Sequence, residues 1–171
     1  MSLVRFALRW WAAFAMVAAL SFLGVAHLFE HFGYAPCHLC LKQREVYWVA
    51  AALGALSVVV ALATRTSGTA RLAAFLLFAL FAAEAILALF HAGVELKWWH
   101  GPATCTGAGV VDMSAVTKML EGLTRPKPVM CDVAAWTFGG VSMAGYNAMA
   151  AAVLAVISLF AAARTPEPSR G

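Results

Sequence analysis

Four apolar stretches set the terms for this chain: Trp10 to Phe29, Val46 to Ala63, Leu72 to His91 and Met143 to Ala163. At about 1.5 Å per residue, a helix of roughly twenty residues crosses about 30 Å of hydrocarbon. Of 171 residues, 63% are hydrophobic and 12% charged, about half the charged share of a soluble domain. The pattern predicts an all-α membrane protein: a four-helix transmembrane bundle in one integral-membrane domain, residues 1–171, with outer loops at about 30–45 and 92–142. The first stretch exceeds a signal-peptide core and no A-x-A site follows it, so it is read as a retained span. The net charge of +4 comes from basic residues at the ends of spans, a topological pattern rather than a nucleic-acid surface.

Four crossings put both termini on one face. The 12 Lys and Arg divide evenly between the faces, but Arg5, Arg9, Arg65, Arg71, Arg164 and Arg170 concentrate in short segments. Density therefore places the termini in the cytoplasm, and all 4 cysteines, Cys37, Cys40, Cys105 and Cys131, on the opposite face. Disulfides there would mark it as the oxidising side. Trp10 and Trp11 on one side, and Trp48, Trp98, Trp99 and Trp136 on the other, read as interfacial belts. In the long loop, Met113, Val116, Met119, Leu120 and Leu123 share a helical face, which predicts a short amphipathic helix lying on the membrane surface or on other protein.

Pro36 blocks helix upstream of Cys37-His38-Leu39-Cys40, and the helical pattern resumes after Cys40, so both cysteines belong at or just before the start of the second helix. Free N–H groups, the helix dipole, Lys42 and Arg44 favour a thiolate there. So small a loop restricts little chain entropy, which points to thiol exchange rather than a structural bridge. Cys105 and Cys131 are a second candidate pair; a bridge between them would stabilise the loop by about 3 to 4 kcal/mol in the chain-entropy model, so a structural role stands beside a redox one. Their spacing does not suit structural zinc. Two communicating pairs could pass electrons by exchange, and without a soluble-cofactor motif the economical sink is a membrane quinone.

These residues resemble the disulfide-bond formation protein B (DsbB) family, quinone-dependent inner-membrane thiol oxidases of bacteria. The resemblance covers the four spans, Pro36-Cys37-His38-Leu39-Cys40, Arg44, the pair Cys105 and Cys131, and Cys131-Asp132 followed by Trp136, Phe138, Ser142, Met143, Ala144, Gly145, Tyr146 and Asn147. It implies that the long loop is periplasmic, and that Cys105 and Cys131 form the disulfide presented to a reduced DsbA-like thiol oxidase, with Cys105 attacked. It further implies that Cys37 and Cys40 accept the electrons, that Cys40 faces ubiquinone or menaquinone, and that Arg44 and His91 lie at the quinone. Gln43 stands where well-known members often carry an acid, and the loop pattern is that of a shorter branch, which leaves the partner open between DsbA itself and a dedicated relative.

Glu84 falls near the middle of the third span, a costly depth for a carboxyl. A rival reading makes the chain a non-enzymatic haem- or metal-binding bundle using His27, His31 and His91, with structural disulfides. A conduit carrying reductant outward would use the same cysteines in the opposite electron direction.

Overall fold

The computed structural model describes residues 10–64, 67–106 and 130–164. Four long helices form the bundle: α1 (Trp11–His31), α2 (His38–Thr64), α3 (Ser67–Glu95) and α5 (Met143–Arg164), with the single turn α4 (Ala103–Thr106) after α3. All four are long and apolar enough to cross a membrane. The amphipathic helix expected around Val116 to Leu123 lies outside the described residues.

What joins the helices is mostly small. Ala15, Ala19 and Leu23 of α1 meet Tyr47, Ala50 and Ala51 of α2, Leu77 and Phe81 of α3 and Ala155 of α5 in one buried cluster. At Gly54, α2 approaches α1 closely, since a Cβ there would sit 2.8 Å from the Ala12 carbonyl oxygen of α1. Large apolar side chains such as Leu56, Val59, Ile86, Val156 and Phe160 point outward instead. In hydrocarbon, burying Leu against protein brings no hydrophobic gain, so close backbone approach and interhelical hydrogen bonds hold such bundles. One such bond runs from the Trp11 indole N–H to the Ser158 hydroxyl of α5, 2.9 Å away, which makes Trp11 a tie between helices.

The second helix is longer than its apolar stretch and begins at His38. Cys37 caps it: its sulfur accepts the Cys40 N–H at 3.2 Å, and its carbonyl accepts the Leu41 N–H at 3.1 Å. At the other end of the polar excursion, a hairpin not expected from sequence pairs β1 (Thr137–Phe138) with β2 (Val141–Ser142). Gly139 and Gly140, with φ of 56° and 80°, supply the left-handed turn that a two-residue hairpin demands. Ser142 Oγ then accepts the Gly145 N–H at 3.1 Å and starts α5.

Candidate active site

The capping geometry puts Cys37 where positive charge from the helix start converges. Its sulfur lies 2.9 Å from Cys40 Sγ and 3.5 Å from His91 Nε2 of α3. The Cys37 thiol is held well below the usual thiol range, chiefly by the hydrogen bond from Cys40, with His91 and the Cys40 N–H adding to it against the opposing effect of burial. A lowered value means that the thiolate persists as pH falls. Alkylation of Cys37, followed by mass spectrometry, should therefore stay near its plateau from pH 8 to pH 6, whereas an ordinary thiol near 8.5 slows by roughly two orders of magnitude. Slowing of that size at Cys37 would refute the assignment.

Cys105 and Cys131 form a disulfide with Cα atoms 5.0 Å apart. The bridge packs with Cys37, Leu39 and Val94 in one buried cluster, with Cys40, Leu87 and Phe90 at its edge. All four cysteines thus gather at one end of the bundle. Two contacts hold the bridge there. The Cys131 N–H bonds the Cys105 carbonyl at 3.2 Å, and Lys97 Nζ donates at 2.6 Å to both the carboxylate and the carbonyl of Asp132. That lysine keeps the Asp132 carboxyl below the ordinary carboxylate range. Both bridge sulfurs are buried, each residue 1% exposed, so attack from outside requires the Cys105 segment to move.

A mostly apolar cavity of about 460 Å³ opens between α1, α2, α5 and the end of α3, and Cys37, Cys40, Arg44, His91 and Glu95 all line it. Its size is that of a small-molecule site. Arg44 donates to the Glu30 carboxylate at 2.7 Å and to the Ala26 carbonyl at 3.1 Å, so two partners on α1 fix the guanidinium at the wall. His91 is buried, with Nδ1 3.0 Å from Gln43 Nε2 and Nε2 3.7 Å from Glu95 Oε1. Glu95, one helical turn beyond His91, escaped the sequence reading; the signal available was that i,i+4 spacing at the end of a span. Its Oε2 is buried with no hydrogen-bond partner among the described residues.

The residues of the rival reading do not assemble. His27 pairs with Glu30 on an exposed part of α1, His31 is exposed at the end of that helix, and His91 faces Cys37 instead. Among the described residues, the one group with metal-ligand spacing is Cys37, Cys40 and His91.

A family profile for disulfide bond formation protein DsbB matches residues 8–161. Comparison with curated proteins and with solved structures finds no match. The profile spans all four helices and both cysteine pairs, and it joins the gathered thiols to a known chemistry: the chain belongs to the DsbB family, membrane oxidoreductases of disulfide bond formation.

Proposed function

We propose that the protein is a thiol:quinone oxidoreductase, which reoxidises a DsbA-like periplasmic thiol oxidase and delivers the electrons to membrane ubiquinone or menaquinone. The observation that carries this reading is an apolar cavity among membrane-spanning helices onto which both C-x-x-C residues, Arg44 and His91 open. The cavity suits a quinone ring. Its walls are apolar, Arg44 offers donors for a ring oxygen, and the orphaned Glu95 Oε2 is an acceptor for a hydroxyl of the reduced ring. Arg44 and His91 would hold the quinone, which supplies a sink for two electrons and two protons.

The chain's own chemistry is exchange. A partner thiolate attacks Cys105 Sγ, the Cys105–Cys131 bond breaks, and Cys131 leaves as the thiolate. The partner's second thiol then resolves the mixed disulfide, so the partner departs oxidised and the loop pair is left reduced. Attack of the loop dithiol on a Cys37–Cys40 disulfide restores the bridge and leaves Cys37 and Cys40 reduced. These two close again as they give up two electrons and two protons, with His91 placed to handle a proton at Cys37 Sγ. A DsbA-type partner is a strong oxidant at about −120 mV, so the bridge alone would struggle to oxidise it and the quinone must pull the sequence forward. Termini in the cytoplasm and cysteines in the periplasm place the exchange on the oxidising side.

The test is direct: mix purified protein, a ubiquinone analogue and a reduced DsbA-type protein, and follow quinone absorbance and partner thiols together. Matched loss of the two supports the proposal, and quinone left unconsumed overturns it. Arg44→Gln should lower kcat/KM for quinone by about 10²-fold, the scale for loss of a positioned donor to developing negative charge, with Arg44→Lys recovering only part. Steady-state kinetics at varied quinone concentration checks this.

A further inference from the structure

Behind His91 a line of buried polar groups runs into the middle of the bundle, and the exchange chemistry alone gives it no task. Gln43 of α2 is buried and touches His91 Nδ1 through Nε2. Its Oε1 accepts from Asn147 Nδ2 of α5 at 2.9 Å. The same Nδ2 donates to Glu84 Oε1 of α3 at 2.7 Å, and Asn147 Oδ1 accepts from the Tyr47 hydroxyl. Glu84 is 0% exposed. Burying polar groups at membrane depth is costly, so their hydrogen bonds favour one consistent polarity; Glu84 Oε1 takes part in the chain, while its Oε2 is buried without a hydrogen-bond partner among the described residues.

That polarity follows from the orientation of the two side-chain amides. Asn147 uses both Nδ2 hydrogens on the acceptor oxygens of Gln43 and Glu84. Gln43 then has its oxygen committed to Asn147 and only N–H to offer His91. Nδ1 must accept it, so a neutral ring carries its proton on Nε2. The far side of the ring agrees. Nε2 faces the Cys37 sulfur at 3.5 Å, with Glu95 Oε1 3.7 Å away, and against a Cys37 thiolate a bare nitrogen there would set lone pair to lone pair.

We propose that Glu84, Asn147 and Gln43 are positioning residues for the thiol chemistry: through one unbroken hydrogen-bond chain they hold His91 as the Nε2–H tautomer, with that N–H aimed at the Cys37 sulfur. The groups facing Cys37 are then Cys40 from α2, and His91 and Glu95 from α3, with Arg44, paired to Glu30, on the same cavity. His91 supplies the donor that Glu95 cannot. The same polarity opposes metal at Cys37, Cys40 and His91, because a metal would need the Nε2 lone pair and therefore a proton on Nδ1, where Gln43 already presents N–H. It also gives Gln43 a reason: an acid at that position would accept from Nδ1–H and turn the ring's preference round.

The inference rests on Cys37 being a reacting thiol, but the tautomer is read without quinone or partner, so each can fail alone. The experiment is ¹⁵N NMR of histidine-labelled, full-length reduced protein in detergent, with the His91 signal identified by its loss in His91→Phe. The wild type should show Nε2 protonated and Nδ1 bare, and Gln43→Glu should put a proton on Nδ1. Asn147→Asp and Glu84→Leu should raise the pH midpoint of Cys37 alkylation by about one unit, a tenfold change in thiolate over thiol. Glu84→Gln keeps an acceptor for Asn147 and should retain both tautomer and midpoint. Nδ1–H in the wild type overturns the proposal. So does a Gln43→Glu protein, folded and near-isosteric, in which neither the tautomer nor the Cys37 midpoint moves.

Discussion

Cys40→Ser should bring quinone-linked thiol oxidation down to background, a loss of about 10³-fold or more, the scale seen when a covalent participant is removed. The reason is stoichiometric as well as kinetic. Two electrons leave the protein only if two sulfurs close a bond, and a Ser hydroxyl cannot replace a sulfur in that bond. Cys40 sits in the first turn of α2, 2.9 Å from its partner sulfur. The fold should survive, because Cys37, which caps α2, is untouched and the Cys105–Cys131 bridge is separate. The measurement is quinone consumption with reduced partner, beside thermal unfolding of the variant in detergent. Turnover near the wild-type rate would remove Cys40 from the mechanism.

Cys105→Ser should produce an equally large loss with the protein partner but a different pattern with a small dithiol. The partner needs the loop bridge as its point of attack, so its oxidation should fall to background. A small dithiol can reach the C-x-x-C pair through the cavity that both residues line, so quinone reduction driven by dithiothreitol should continue. Comparing the two electron donors on one preparation separates the two cysteine pairs. Loss of both activities would mean that the bridge is needed to build the site, the structural role that its buried packing against Cys37 also permits. Retention of both would show that the partner bypasses it.

The four spans were legible because hydrocarbon thickness demands long apolar runs whatever the neighbours are. The C-x-x-C pair was legible for a local reason: Pro36 and the helix start lie within a few residues of it. Other features were not. That α2 begins at His38, with the Cys37 sulfur as its cap, depends on one hydrogen bond that competes with other ways of entering a helix. The hairpin before α5 rests on two residue pairs, too short for any alternation to register. The tie from Trp11 to Ser158 spans 147 positions, beyond any local pattern. Glu84 was conspicuous as an isolated acid in a span, yet its partner Asn147 lies 63 positions on, in another helix.

Composition, apolar length and the spacing of four cysteines were enough to determine a membrane bundle with two thiol pairs, because those properties act locally or through the solvent. Which sulfur receives the hydrogen bonds, which nitrogen of His91 faces it, and which carboxyls stand behind were decided only when α2, α3 and α5 packed together. Small residues carry that packing without a periodic signature of their own, and hydrogen bonds between helices have no fixed offset along the chain.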